Sequence, residues 1–131
     1  MVIDSHTLLW WLERSEELSP TARQTLDGAA DEDAVFYVAA VTFWELYRKE
    51  VRGILVPKIS VRRWPGILVR MDWLRLIDES PDIWIAMTEL KWAHSDPADR
   101  LIATVALRHG VSVLTRDRRF HASDSPVSAV W

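Results

Sequence analysis

The chain has 131 residues, a length typical of one compact domain, which we expect to span residues 1–131. Its apolar fraction of 49% is sufficient for a buried core and argues against disorder. The chain contains no cysteine, which excludes disulfides, thiolate metal ligands and cysteine nucleophiles, and its net charge of −3 gives no general support to nucleic-acid binding.

The expected cellular setting follows from two further features of the sequence. The chain does not open with a basic segment followed by an apolar run, so no secretory signal is expected. No apolar stretch approaches the roughly 20 residues that a membrane-spanning helix needs. Together with the lack of cysteine, these features predict a cytoplasmic protein without a membrane partner.

Short apolar runs rich in β-forming residues predict the strands. The run at 34–40, Ala-Val-Phe-Tyr-Val-Ala-Ala, is typical of a central strand. The predicted strands are 1–5, 34–40, 73–77, 111–115 and 127–130.

Helix signals separate these strands. Ser19-Pro20, Ser80-Pro81 and Asp96-Pro97 are typical helix starts, and Gly53 and Gly110 mark helix ends. The predicted helices are 6–13, 20–26, 41–52, 60–72, 81–92 and 97–108. Because strands alternate with helices throughout, we predict the α/β class: a three-layer α/β/α domain with a parallel central sheet, whose sites form beyond the carboxyl ends of the strands.

Four acidic residues are placed near that edge of the predicted sheet. Asp4 and Asp117 each follow a strand, and Glu45 lies about one turn into the helix that leaves the 34–40 strand. Asp99 lies in the first turn of the helix opened by Pro97, and only the fold decides where that turn lies. Taken singly, each acid also has a structural explanation as a helix cap, a helix-dipole partner, an exposed helical residue or a turn residue.

Taken together, the four acids indicate a metal site. Clustered carboxylates repel one another unless a cation lies among them, and ligand sets made only of oxygen suit Mg²⁺ or Mn²⁺. Zinc is disfavoured because cysteine is absent and the four histidines show no paired metal spacing. We interpret the histidines as surface or packing residues: His6, His94, His109 and His121.

The basic residues and the eight tryptophans leave two interpretations open. Between residues 48 and 75 the only acids are Glu50 and Asp72, so this stretch is either a phosphate-binding surface or a solvated helical face. Trp10, Trp11 and Trp44 form either a groove for an apolar helix or part of an ordinary core. The basic residues of the stretch are Arg48, Lys49, Arg52, Lys58, Arg62, Arg63, Arg70 and Arg75.

Four segments of the chain carry motifs in a characteristic order: 2–12, 41–46, 94–104 and 114–117. They resemble the PIN-domain ribonucleases, and among them the VapC-type toxins of toxin–antitoxin pairs, and the resemblance covers essentially the whole chain. The chain departs from the family pattern at 39–41, Ala-Ala-Val, where relatives often have serines. Its segment 57–65 also matches the family pattern less closely. The resemblance implies the PIN fold, an endoribonuclease dependent on Mg²⁺ or Mn²⁺, and products with 5′-phosphate and 3′-hydroxyl ends.

The resemblance also implies roles for individual residues. Asp4, Glu45 and Asp99 are similar to the three core acids of the family, and Asp117 is similar to the fourth, more variable acid. Thr115 resembles a hydroxyl that supports the acids. All four acids are therefore expected to be catalytic and to bind the metal ion.

Further roles are expected around these acids. Asp96 is expected to cap its helix beside the site. The implied partners are an RNA substrate and a cognate antitoxin of a type II toxin–antitoxin system, and the chain is expected to form a homodimer. The arginines expected to hold RNA phosphates are Arg48, Arg52, Arg116 and Arg118.

Other protein classes fit the sequence less well. A phospho-receiver domain usually has two adjacent acids after its first strand and a lysine near its last, whereas Ser5 follows Asp4 and no lysine follows Asp117. A haloacid-type phosphatase needs an Asp-x-Asp pair, and His6 stands at the second position. A P-loop is absent. The alternative that stays open is a catalytically silent, PIN-like module that binds RNA.

Overall fold

The computed structural model describes residues 1–31 and 34–131. Within these residues, five parallel strands form one sheet in the order β3-β2-β1-β4-β5. The strands are β1 (Val2–Ile3), β2 (Phe36–Ala39), β3 (Leu74–Ile77), β4 (Val113–Leu114) and β5 (Ala129–Val130). The parallel sheet confirms the predicted fold class, and β1 lies at its centre.

The helices connect successive strands and cover both faces of the sheet. A single 3-10 turn at Val61–Arg63 precedes the fourth helix. The helices are α1 (Ser5–Leu12), α2 (Pro20–Asp27), α3 (Ala40–Val51), α4 (Trp64–Leu68), α5 (Pro81–Glu89) and α6 (Pro97–His109). The described helices lack the combination of length and apolar character needed to cross a bilayer.

The alternation of side chains along β1 divides the core in two. Val2 and Ile3 are both fully buried, but they point to opposite faces because successive strand residues alternate. Ile3 packs in a cluster with Leu8 of α1, whereas Val2 packs in a second cluster with Leu101 of α6. The sheet is therefore buried on both faces, as a three-layer arrangement requires.

All three predicted helix starts are confirmed, two of them by a capping bond, whereas the side chain of Ser80 makes none. The hydroxyl of Ser19 accepts a hydrogen bond of 3.0 Å from the N–H of Ala22, and the carboxylate of Asp96 accepts one of 2.9 Å from the N–H of Ala98. Gly110 ends α6 in the left-handed conformation, with φ of 63°, where glycine is favoured.

The cap of α3 comes from a residue distant in sequence. Ala39 occupies the cap position and has no side chain that can accept a hydrogen bond. The carboxylate of Glu79, which follows β3, accepts a hydrogen bond of 2.9 Å from the N–H of Val41. Glu79 thus compensates for the absence of serine at the start of α3.

The helix predicted for 60–72 is much shorter in the structure. Only the 3-10 turn and the five residues of α4 are helical there, and the helix ends at Leu68 instead of continuing to residue 72. Trp64 lies where the 3-10 turn passes into α4, and its buried indole donates its N–H to the carbonyl of Ile59 at 2.8 Å. The helix predicted for 81–92 ends earlier, at Glu89, because Leu90 adopts an extended conformation.

Candidate active site

The four acids named from the sequence line one pocket of about 420 Å³ at the carboxyl edge of the sheet. Asp4 follows β1, Asp117 follows β4, and Glu45 lies in the second turn of α3. Asp99 reaches the same edge because α6 runs back toward the start of β4 and must therefore begin where the strands end. The topology thus brings together carboxylates from four separate elements.

Asp4 is the most deeply buried of these acids, with 4% of its surface exposed. Its Oδ1 accepts a 2.7 Å hydrogen bond from the N–H of Ser5, and its Oδ2 accepts a 2.9 Å bond from the hydroxyl of Thr115. Burial raises the pKa of Asp4 to about 7, and the nearby charges of Asp99 and Glu45 act in the same direction. A cation in the pocket would stabilise this carboxylate in its ionised form.

Asp99 is held by a histidine that the sequence interpretation assigned to the surface or to packing. His94 is buried, as a packing residue would be, and its Nε2 also forms a hydrogen bond with Oδ2 of Asp99, which the sequence interpretation did not predict. Trp92 packs edge-on against the imidazole, with ring centroids 4.7 Å apart. Burial raises the pKa of Asp99, while the hydrogen bond from His94 opposes the shift.

Among the described residues, His94, Asp99 and Asp117 form one close group of possible metal-ligand atoms, to which Asp4 and Glu45 do not belong. Each offers one donor atom, and these atoms lie within 4.8 Å of one another. Nη1 of Arg119 is 3.1 Å from Nδ1 and 3.3 Å from Nε2 of His94. The guanidinium of Arg119 therefore lies directly against the imidazole of His94.

Arg100 fixes the segment between α5 and α6 that carries His94. Its guanidinium donates five hydrogen bonds of 2.6 to 3.2 Å to backbone carbonyls. The carbonyls belong to Met87, Leu90, Trp92 and His94. Arg100 thereby positions the histidine next to Asp99 in a segment that has no regular backbone pairing of its own.

Glu45 is paired with a lysine inside the same pocket. Nζ of Lys49 lies 2.8 Å from Oε1 of Glu45, one helical turn away, and 3.1 Å from Nε2 of His6. His6, Glu45 and Lys49 all line the pocket. The pocket therefore contains cationic groups beside its four acids and can attract phosphate as well as a metal ion.

The arginines expected to hold RNA fall into two groups. Arg48 lines the pocket, and Arg116 lines an adjoining pocket of about 210 Å³. Arg52 and Arg118 are exposed, and neither is among the described residues that line these two pockets. Arg119 also lines the larger pocket, although sequence reasoning did not single it out. Its position two residues after Asp117 was the signal in the sequence that could have identified it.

Of the three tryptophans named from the sequence, two line the adjoining pockets and Trp11 does not. Trp44 lines the larger pocket and Trp10 the adjoining one. Trp11 points elsewhere, since its indole N–H donates to Asp27 at 2.9 Å and its ring packs edge-on against Trp73.

Comparison with known proteins agrees with this architecture. The family model described as PIN domain matches residues 1–125. Ribonuclease VapC22 of Mycobacterium tuberculosis is 33% identical to this chain over 134 residues, a match that covers 100% of this chain and 98% of that protein.

Solved structures support the fold at lower sequence identity. The structure of VapBC2 from Rickettsia felis bound to a promoter DNA fragment matches with a TM-score of 0.66 and 13% identity, over 98% of this chain and 96% of that chain. FitAcB from Neisseria gonorrhoeae matches with a TM-score of 0.58 and 21% identity, over 99% and 96% of the two chains. With a family match that spans nearly the whole chain, and with acids from four elements meeting at one sheet edge, the protein belongs to the PIN-domain family.

Proposed function

We propose that this protein is a metal-dependent endoribonuclease that acts as the toxin of a type II toxin–antitoxin pair. The observation that carries the proposal is that Asp4, Glu45, Asp99 and Asp117 line a single pocket. The end-to-end match to a protein named as a ribonuclease supports RNA as the substrate. The same VapC-type relationship supports a cognate antitoxin as the protein partner.

The donor set of the pocket fits Mg²⁺ or Mn²⁺. Carboxylate oxygens are the preferred ligands of both ions, and the chain offers four acids at this edge. The raised pKa of Asp4 supports the fit, since a buried carboxylate with acidic neighbours is stabilised by a cation. When bound, such an ion supplies an activated water and offsets the charge that grows on the phosphate.

The surrounding residues hold these carboxylates in fixed orientations. Thr115 and the N–H of Ser5 orient the two oxygens of Asp4. The N–H of Asp96 lies 3.5 Å from Nδ1 of His94, which makes Nδ1 an acceptor and places the imidazole proton on Nε2, where it is donated to Asp99. In this arrangement His94 positions Asp99 and does not itself ligate the metal through Nε2.

The cationic residues of the pocket bind the RNA backbone. Arg48, Lys49 and Arg119 line the pocket beside the acids and can donate to the oxygens of the phosphate that is cut or of its neighbours. One of the acids, or a water that it orients, takes the proton from the attacking water.

The test uses a pair of first-turn aspartates on two helices. Asp99→Asn removes a proposed ligand in the first turn of α6, and Asp82→Asn makes the same change in the first turn of α5, where the residue is exposed. With Mn²⁺ and a transfer RNA substrate, we expect Asp99→Asn to lower the cleavage rate at least on the order of 100-fold and Asp82→Asn to cleave like the wild type.

Two outcomes would overturn the proposal. Cleavage at the wild-type rate by an equally pure Asp99→Asn protein would assign the activity to a contaminant or to another site. RNA binding by the wild type without cleavage, in both Mn²⁺ and Mg²⁺, would identify a catalytically silent RNA-binding module.

A further inference from the structure

Glu79 is not among the described residues that line the carboxylate pocket, but it lies at the same edge of the sheet. β2 and β3 pair as far as Ala39 and Ile77, and Glu79 stands two residues beyond that last pair. It therefore lies beside the start of α3, which follows Ala39 directly. Burial raises the pKa of Glu79, and the hydrogen bond from the N–H of Val41 opposes the shift.

The start of α3 has no cap of its own. Ala39 occupies the cap position with φ of −72° and ψ of 140°, the extended conformation of a capping serine or aspartate, but its methyl group accepts no hydrogen bond. The N–H groups of a first helical turn have no partner within the helix and need an acceptor from elsewhere. The 2.9 Å bond from Val41 to Glu79 meets that need from the neighbouring strand connection.

The capped turn leads to two acids of the pocket. Glu45 lies one helical turn after Val41 on α3. Thr42 is fully buried, and its hydroxyl accepts a 3.3 Å hydrogen bond from the hydroxyl of Ser5. The N–H of Ser5 in turn donates to Oδ1 of Asp4 at 2.7 Å. A shift at the start of α3 would therefore displace both Glu45 and the residue that orients Asp4.

We infer that Glu79 is a positioning residue for the active site, because its cap fixes the helix that carries Glu45. The hydrogen bond between Thr42 and Ser5 extends this effect to Asp4. The inference rests on the proposed ribonuclease function and adds to it a residue that acts on the acids from outside their pocket. A misplacement of about 1 Å can cost an enzyme on the order of 100-fold in rate, so the position of α3 bears directly on catalysis.

A set of variants separates the cap from the charge of Glu79. Glu79→Ala removes the acceptor, whereas Glu79→Gln keeps an acceptor oxygen on a side chain of the same length and removes the charge. Ala39→Ser, added to Glu79→Ala, places a hydroxyl at the cap position, where the backbone already has the conformation of a serine cap. Asp78→Ala is the matched control, since it removes the exposed acid next to Glu79.

Hydrogen exchange followed by mass spectrometry measures the cap itself, without metal or RNA. In the presence of EDTA, we expect the amides of residues 40–46 to exchange roughly 5- to 30-fold faster in Glu79→Ala than in the wild type, the change expected for one lost helix cap. We expect Glu79→Gln and the double variant with Ala39→Ser to return toward the wild-type rate. Asp78→Ala should exchange like the wild type.

Isothermal titration with Mn²⁺ and steady-state cleavage of transfer RNA measure the effect on the acids, at a temperature where every variant is folded. We expect Glu79→Ala to bind Mn²⁺ about 10-fold more weakly and to lower kcat about 10- to 100-fold. KM for RNA should stay within about twofold of the wild type, because no RNA-binding group is changed. Glu79→Gln and the double variant with Ala39→Ser should recover most of both losses.

Wild-type Mn²⁺ affinity in a folded Glu79→Ala protein would overturn the inference, because the cap would then stabilise α3 without positioning its acid. Unchanged exchange at residues 40–46 in that variant would equally contradict it. If Glu79→Ala does not fold, Glu79→Asp, whose carboxylate is one methylene shorter, takes its place.

Failure of the proposed function has a different signature. A wild-type protein that binds Mn²⁺ and leaves RNA intact would contradict the ribonuclease proposal alone, and the Mn²⁺ affinities of the Glu79 variants would still decide the inference. A wild type that binds no Mn²⁺ would overturn both.

Discussion

The hydroxyl of Thr115 donates a 2.9 Å hydrogen bond to Oδ2 of Asp4, although the two residues are 111 positions apart in the chain. The same hydroxyl oxygen accepts a 3.0 Å hydrogen bond from the backbone N–H of Asp117. One buried side chain thus orients an acid at the end of β1 and the backbone of an acid that follows β4.

Replacing Thr115 with valine preserves the shape of the side chain and removes both hydrogen bonds. We expect Thr115→Val to lower the free energy of unfolding by about 1–3 kcal/mol, because the buried Asp4 carboxylate loses a partner. RNA cleavage should fall roughly 10- to 100-fold, as is common when a group that orients a metal ligand is lost. Urea unfolding and a cleavage assay measure the two effects. Thr115→Ser retains the hydroxyl and serves as the control, and a valine variant as active as the serine variant would contradict the role given to this bond.

The pKa of Asp4 predicts how the stability of the metal-free protein depends on pH. Burial raises this pKa from 3.8 to about 7, so the folded chain binds the proton more tightly than the unfolded chain does. The stabilising contribution is therefore complete below about pH 4 and is lost as the pH rises through 7. The loss is on the order of a few kcal/mol.

Asp4→Asn removes this titration while it keeps the size of the side chain. In the presence of EDTA at pH 8, we expect the variant to melt at a higher temperature than the wild type, and near pH 4 we expect the difference to disappear. Circular dichroism at the two pH values measures it, with Asp82→Asn as a control that should follow the wild type at both. Identical melting temperatures of wild type and Asp4→Asn at pH 8 would show that the buried carboxylate carries no such cost.

Because His94 forms a hydrogen bond with Asp99, we expect variants at His94 to lower Mn²⁺ affinity and the cleavage rate to different extents. His94→Ala should weaken Mn²⁺ binding and lower cleavage by about 10- to 100-fold, because Asp99 loses the donor that orients it. His94→Gln places an amide N–H near the position of Nε2 and should recover part of the loss. His109→Ala is the control, since His109 stacks on Tyr37 at the far end of α6. Isothermal titration with Mn²⁺ gives a readout independent of activity, and equal Mn²⁺ affinity in all three variants would remove His94 from the site.

Replacing Arg100 with lysine keeps the positive charge and tests whether the shape of the guanidinium stabilises the fold. Its guanidinium reaches four backbone carbonyls at once, which the single ammonium of lysine cannot do. Arg100→Lys should lower the free energy of unfolding by about 2–4 kcal/mol, whereas the same change at the exposed Arg108 should cost little. Chemical denaturation compares the two, and equal losses would mean that the carbonyl contacts add no stability.

Much of this architecture could be predicted from local sequence. The pairs Ser19-Pro20 and Asp96-Pro97 set helix starts through bonds within three residues, so the prediction needed no tertiary information. The convergence of Asp4 and Asp117 followed from strand direction alone, because parallel strands end at one edge of the sheet.

The parts that sequence reasoning missed depend on contacts between distant or irregular segments. His94 reaches Asp99 because Arg100 binds the carbonyls of an irregular segment, and such a network leaves no periodic pattern to read. Glu79 caps α3 from across the β2–β3 pair, again without a local signal. The spacing of five residues between His94 and Asp99, on either side of Pro97, was the clue available in the sequence.

The central place of β1 in the sheet also bears on synthesis of the protein. β1 pairs with β4, which is synthesised much later than β1, and Asp4 is oriented by a hydroxyl that lies 111 positions further along the chain. A nascent chain therefore contains Asp4 and Glu45 long before the groups that complete their surroundings exist. The pocket therefore has its full set of acids only after the chain has been made beyond Asp117.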